Sequence, residues 1–134
     1  MANIKLVLEI GRFQNKTMSL DVFCNGRLIL EKTQFETDHF DLSFDTDLPA
    51  KIEFQTSGKE RFDTEVDADG KILQDKYVLI KGMAIDNIWV KKWFLESRLF
   101  SPTRSNYFGQ NGIYWFDIPF TDIMDFWLDI LACD

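Results

Sequence analysis

The sequence predicts an all-β protein, an antiparallel β-sandwich that resembles a jelly roll. Apolar and polar residues alternate with a period of two, as in Ile4, Leu6 and Leu8, and this pattern is typical of strands that bury one face. Turn residues such as Asn25-Gly26 separate such runs about every ten residues, as in sandwiches and barrels. A length of 134 residues with 46% hydrophobic residues suits one domain with its own core. We therefore expect a single sandwich domain over residues 1–134.

The strands follow from the alternation and from the turns between them. Asn25-Gly26 between two apolar runs is the strongest hairpin signal, because both residues of that turn must adopt positive φ. Pro119 ends the last strand. The predicted strands cover residues 4–10, 18–24, 27–30, 40–44, 51–55, 77–80, 83–85, 88–90 and 113–118.

The C-terminal segment changes period. From Thr121 onward, Ile123, Phe126, Trp127 and Ile130 recur at helical spacing. This predicts a short C-terminal amphipathic helix that packs on the sandwich. A bulged last strand is the alternative that the pattern leaves open.

Charge and composition exclude several classes of function. The formal charge is −7, and lysine and arginine form no stripe that could follow a phosphate backbone. We therefore expect no nucleic-acid partner and no membrane partner. The apolar runs are too short for a membrane helix, and the N-terminus resembles no secretory signal peptide.

Catalysis is not expected either. The chain has one histidine, His39, so a multi-histidine metal site is excluded, and no nucleophile elbow or phosphate loop occurs. Paired carboxylates for glycoside hydrolysis cannot be assigned from spacing alone. The acidic run from Glu36 to Asp47 is interpreted as a solvated sheet edge.

An acidic loop offers candidate calcium ligands. Residues 63–70 place oxygen side chains at alternate positions before Gly70, as calcium loops do. An EF-hand is rejected because Lys76 stands where the closing glutamate would be. No cofactor is required, and the calcium alternative is a looser site. Its candidate ligands are Asp63, Asp67, Asp69 and Asp75. The competing interpretation is a tight turn at residues 67–70.

Aromatic residues crowd the C-terminal third. Twelve of the twenty aromatic residues, including all four tryptophans, lie between Trp89 and Trp127. Adjacent residues of a strand point to opposite faces, so one of each aromatic pair leaves the core. Contact with a partner chain is favoured over a platform for sugar rings, with core packing as the third explanation. The candidate contacts are Trp89, Trp93, Phe94, Tyr107, Phe108 and Trp127.

Residues 63–90 and 107–131 resemble small jelly-roll virion proteins of tailed bacteriophages, particularly marine ones. The similarity rests on the acidic loop with Lys71-Ile72-Leu73, on Ile85-Asp86-Asn87-Ile88 and on Asn111-Gly112-Ile113-Tyr114-Trp115-Phe116. That group is often compared with calcium-dependent, xylan-binding carbohydrate modules.

The resemblance implies a non-enzymatic structural protein. It would decorate the capsid and dock on the major capsid protein or on neighbouring copies. Such a protein is made in the host cytoplasm and lies on the particle exterior. The alternative is a carbohydrate-binding module of a tail or fibre protein that binds a surface glycan, with calcium as a cofactor.

Overall fold

The computed structural model describes residues 1–119. Within them the chain forms short antiparallel strands and one helix of six residues. The strands are β1 (Ala2–Gly11), β2 (Ser19–Cys24), β3 (Arg27–Lys32), β4 (His39–Thr46), β5 (Ala50–Ser57), β6 (Thr64–Val66), β7 (Ile72–Asp75), β8 (Tyr77–Ile85), β9 (Ile88–Trp89), β10 (Tyr107–Phe108) and β11 (Gly112–Ile118); the helix is α1 (Lys92–Ser97).

Two sheets form the sandwich. The first has the strand order β10-β8-β1-β4, with β9 beside β8, and the second has the order β11-β5-β2-β3. The chain crosses from one sheet to the other after β1, β3, β4, β5 and β10, whereas β2 and β3 are hairpin neighbours within the second sheet. All the sheet pairings are antiparallel. The predicted β-sandwich is therefore confirmed.

The core lies between the inner faces of the two sheets. Ile4, Leu6 and Leu8 of β1 are fully buried there. Phe54 of β5 packs against the rings of Phe100 and Phe108, with centroid distances of 6.0 and 5.4 Å. The alternation that predicted the strands is thus the alternation between core and outer face.

Strand β8 joins two segments that the sequence predicts as separate strands. Its register against β1 shifts between Val7 and Leu8, where β8 carries one extra residue. Val78 and Ile80 point inward before the bulge, and Met83 and Ile85 point inward after it. The bulge lets an interrupted pattern continue as one strand.

Two-residue turns connect neighbouring strands as the sequence indicates. Asn25 and Gly26 join β2 to β3 with φ of 51° and 80°. Asp86 and Asn87 join β8 to β9 with φ of 50° and 67°. Both turns need positive φ, which Asn, Asp and Gly tolerate best.

The strands β6 and β7 form a separate two-stranded hairpin. It lies between the sandwich strands β5 and β8 in the chain. Three large apolar side chains of the hairpin, those of Val66, Ile72 and Leu73, are exposed, and so is that of Phe62 just before it. An isolated hairpin of this size is marginally stable in water, so its attachment to the sandwich matters.

The one helix among the described residues is not the helix that the sequence predicts. Helix α1 was not predicted, because Trp93-Phe94 was interpreted as part of a strand. The expected C-terminal helix from Thr121 lies outside the described residues. Among residues 1–119, the helix is far too short to cross a membrane.

Candidate functional site

The outer surface of the first sheet carries three aromatic side chains, Tyr77, Tyr107 and Trp89, and we call it the aromatic face. Tyr77 lies opposite Gly11 of β1, and Tyr107 lies opposite Leu79 of β8. Trp89 of β9 lies opposite Ala84, on the same edge of β8 as β10. All three therefore project away from the core and from the same sheet.

The two tyrosines form a stacked pair at one end of the aromatic face. Their ring centroids are 4.9 Å apart at an interplanar angle of 30°. The Tyr77 hydroxyl donates a hydrogen bond of 2.8 Å to Glu9 Oε2. Burial, followed by this carboxylate, raises the pKa of Tyr77 to about 12. Tyr107 is 39% exposed and Tyr77 is half-buried, so the pair presents part of its aromatic surface to solvent.

Glycines leave room for both rings. A Cβ atom on Gly11 would overlap the Tyr77 ring and lie 2.5 Å from the Asp75 backbone oxygen. A Cβ atom on Gly109 would lie 2.5 Å from Tyr107 Cε1. The two tyrosine rings therefore pack directly against the backbone at Gly11 and Gly109.

Trp89 covers the backbone at the other end of the aromatic face. A Cβ atom on Gly82 would lie 3.1 Å from Trp89 Cζ3, so the indole lies over this glycine. The side chain is still 48% exposed. From Gly82 to Tyr77 the strand covers about 16 Å, at about 3.3 Å per residue, so about this distance separates the two ends of the aromatic face.

A cleft opens beside the tyrosine pair. Its volume is about 370 Å³, and it lies between the ends of β1 and β4 and the hairpin. The Arg12 guanidinium pairs with the Asp38 carboxylate at 2.7 Å. The polar and charged side chains that line the cleft are Glu9, Arg12, Asp38, His39, Gln74, Asp75 and Tyr77. These carboxylates, amides and hydroxyls can bond the hydroxyl groups of a ligand.

Asp75 links the hairpin to the aromatic face. Its Oδ1 accepts hydrogen bonds of 2.6 Å from Lys59 Nζ and from Thr64 Oγ1. Its Oδ2 accepts a hydrogen bond from the Tyr107 hydroxyl. Burial alone would raise the pKa of Asp75, but these three donors outweigh it and hold the pKa below its ordinary value. Burial and this carboxylate also raise the pKa of Tyr107.

A second buried ion pair lies at the base of the hairpin. Asp63 Oδ2 is 2.7 Å from Lys76 Nζ, and the two side chains are 12% and 7% exposed. The same oxygen accepts a hydrogen bond of 2.7 Å from the Glu60 backbone N–H. The hydrogen bond from Lys76 and then that from Glu60 lower the pKa of Asp63.

The other two calcium candidates lie in the hairpin turn. Asp67 Oδ1 accepts hydrogen bonds of 2.9 Å from the backbone N–H groups of Asp69 and Lys71. Gly70 follows with a φ of 84°. The tight-turn interpretation of residues 67–70 is confirmed, and the Asp69 side chain points into solvent.

These residues do not fit a calcium ion. Calcium takes six to eight oxygen ligands, whereas Asp63 and Asp75 are each paired with a lysine. Within residues 1–119, no three His, Cys, Asp or Glu side chains converge as metal ligands.

The aromatic candidates for partner contact have different environments. Trp93 of α1 is 53% exposed, with the Arg98 guanidinium 5.6 Å from its ring. Phe94 is partly buried against the core. Phe108 is fully buried in the core, so it presents no surface to a partner. Trp127 lies outside the described residues.

Sequence reasoning missed Tyr77, Glu9 and the two lysines, Lys59 and Lys76. Tyr77 begins an apolar strand, and only the pairing of β10 with β8 shows that Tyr107 lies against it. The alternation of β1 does place Glu9 on the outer face. No signal in the sequence pairs either lysine with an aspartate.

Comparisons with known proteins identify a fold neighbour. The chain is similar to the solved structure of vCBM60 in its selenomethionine form, reported with a circular permutation that links two families of calcium-dependent carbohydrate binding modules. The TM-score is 0.54 at 12% identity, and the match covers 87% of this chain and 91% of that chain. No protein-family model matches the sequence, and no curated protein matches it. The similarity shows a fold shared with a carbohydrate-binding module.

Proposed function

We propose that this protein is a non-catalytic glycan-binding domain whose aromatic face holds a neutral oligosaccharide. The observation that carries the proposal is the partly exposed tyrosine pair beside a polar cleft. Sugar rings have apolar C–H faces that pack on aromatic rings, and their hydroxyl groups bond polar side chains at the ring edge. Tyr77 and Tyr107 supply the apolar surface. Glu9 and Asp38 supply acceptors.

The charge of the cleft favours a neutral sugar. Two of the carboxylates that line it are paired, Asp38 with Arg12 and Asp75 with Lys59. Among residues 1–119, the third carboxylate, that of Glu9, meets a cationic group only at 3.9 Å, at Lys81 Nζ. The whole chain carries a formal charge of −7. A uronic acid or a sulfated sugar would be repelled, because like charges at close range cost free energy.

The fold neighbour supports the carbohydrate-binding alternative better than capsid decoration. No contact among the described residues and no comparison favours docking on a major capsid protein. The virion role, the particle exterior and the single domain over residues 1–134 stay predictions.

Binding to a glycan array tests the proposal, followed by calorimetry with the neutral glycan that binds best. We expect Tyr107→Ala to weaken binding about tenfold or more, which is about 1.4 kcal/mol. Trp115→Ala, an aromatic substitution on the outer face of the second sheet, is the matched control and should leave affinity unchanged. Absence of binding to every neutral glycan would overturn the proposal, and so would equal losses in the two variants.

The same samples test the absence of catalysis. Incubation of the protein with the bound glycan should release no reducing ends. Release that disappears in Glu9→Gln would instead assign a hydrolase that uses a carboxylate of the cleft.

A further inference from the structure

We infer that Lys59 and Lys76 take the place of a divalent cation in this protein, because their ammonium groups neutralise Asp75 and Asp63 and bond the nearby backbone oxygens. Neither the stability of the protein nor its glycan binding then depends on calcium. The inference about stability is independent of the proposed function, and only the part about glycan binding rests on it. It departs from the fold neighbour, which is grouped with calcium-dependent modules.

Each lysine ammonium contacts one carboxylate oxygen and one backbone carbonyl oxygen. Lys59 Nζ lies 2.6 Å from Asp75 Oδ1 and 2.6 Å from the backbone oxygen of Gly109. Lys76 Nζ lies 2.7 Å from Asp63 Oδ2 and 2.9 Å from the backbone oxygen of Gly58. A carboxylate with backbone carbonyls is the donor set that calcium prefers, and here an ammonium group takes it.

The lysines join segments that are distant in the sequence. Lys59, which follows β5, connects the end of the hairpin at Asp75 with the segment after β10 at Gly109. Thr64 and Tyr107 bond the same carboxylate from the hairpin and from β10. The two-stranded hairpin is marginal by itself, so these bonds position it against the sandwich.

Charge balance opposes a calcium ion at these carboxylates. Asp63 and Asp75 carry two negative charges, and the two lysines neutralise them. All four side chains are at most 12% exposed. A divalent cation that bound beside the ammonium groups would leave excess positive charge in this buried region, and unpaired buried charges are strongly unfavourable.

Thermal unfolding of the whole protein in EDTA and in millimolar calcium chloride tests the inference. We expect the two Tm values to agree within error. A calcium-dependent rise of several degrees would overturn the inference, because any ligand that binds the native state stabilises it.

Substitution of a lysine gives the positive arm of the test. Lys59→Met should lower Tm by roughly 7–11 °C in both buffers, because it leaves Asp75 buried without its cation. Lys92→Met is the matched control, since Lys92 pairs with Glu96 on the surface and is 86% exposed. Equal, small shifts in the two variants would contradict the role of Lys59. If Lys59→Met fails to fold, the double variant Lys59→Met/Asp75→Asn should recover folding, and a failure to recover would count against the pair.

Calorimetry separates this inference from the proposed function. We expect the affinity for the neutral glycan to be the same in EDTA and in calcium. Loss of binding in EDTA with an unchanged Tm would overturn calcium independence of binding. Absence of binding in both buffers would refute the glycan proposal and leave the stability result as it stands.

Discussion

Replacement of Gly11 by alanine tests whether Tyr77 lies where the structure places it. A Cβ atom at this position would overlap the Tyr77 ring and lie 2.5 Å from the Asp75 backbone oxygen. The ring alone cannot relieve the second contact, because that contact is with backbone. The tyrosine must therefore leave its position over β1, and the end of β7 must move as well.

The magnitude follows from the cost of overpacking. Extra atoms in a close-packed site cost about 1–3 kcal/mol. The unfolding entropy of about 2.1 cal/mol/K per residue converts each kcal/mol to about 3.5 °C of Tm for this chain length. We therefore expect Gly11→Ala to lower Tm by roughly 4–10 °C. Displacement of the ring should also break its hydrogen bond to Glu9 and weaken glycan binding.

Thermal unfolding followed by near-ultraviolet circular dichroism measures both effects, since the tyrosine stack contributes to that signal. Gly82→Ala is the control, because its Cβ atom would come close only to the exposed Trp89 indole, 3.1 Å from Cζ3, with Val7 Cβ at an ordinary contact distance of 3.9 Å. The end of a flexible side chain can yield, so a smaller fall in Tm is expected. An unchanged Tm and an unchanged aromatic signal in Gly11→Ala would refute the position of Tyr77.

Three further predictions concern pH, an ion pair and a turn. The pKa of Tyr77 is raised to about 12, against about 10 in an unfolded chain. The contribution of the protonated Tyr77 hydroxyl to stability is therefore complete below pH 10 and is lost as pH rises from about 10 to 12. Denaturation at several pH values should therefore show a steeper alkaline loss in the native protein than in Tyr77→Phe, and parallel curves would contradict the raised pKa. Urea titration of Lys59→Met should show a loss of about 2–3 kcal/mol in the free energy of unfolding. This is below the full cost for a deeply buried pair, because the side chains of Lys59 and Asp75 keep 11% and 6% exposure. The control Lys92→Met should change the free energy of unfolding by less than about 0.5 kcal/mol. Gly26→Ala should cost about 1–2 kcal/mol because φ is 80° with open space around the new atom, and a neutral result would argue against the two-residue turn.

Most of the fold could be predicted from the sequence because its signals are local. The alternation of Ile4, Leu6 and Leu8 depends only on which strand face is buried. Asn25-Gly26 selects its turn through backbone sterics alone. The turn at Asp67 was likewise predictable, since its carboxylate bonds the backbone within four residues.

The rest of the fold depends on contacts between distant segments. Gly82 divides an apolar run in the sequence, but the bulge against β1 makes one strand of the two parts. Trp93 and Phe94 satisfy a strand pattern as well as a helical turn, and short apolar runs do not distinguish the two.

The candidate site was predictable only in part. Tyr107 and Trp89 were selected as candidate contacts with a partner chain, and the structure places both on one face of the first sheet. Their partner Tyr77 was missed, because its stacking on Tyr107 depends on the pairing of β8 with β10. The aspartates were selected for calcium by their spacing. Spacing cannot show that Lys59, 16 residues from Asp75, folds onto it.

Amide chemical-shift mapping by NMR tests the central claim most directly. A neutral oligosaccharide that binds on the array would be added to the isotope-labelled protein, in EDTA and again in calcium. We predict saturable shifts at the amides of β8, β10 and the second half of β1, around Tyr77 and Tyr107, with β2, β5 and β11 unchanged and no difference between the buffers. Shifts confined to the second sheet, or no shifts at either condition with this and the other neutral oligosaccharides of the array, would contradict a glycan site on the aromatic face.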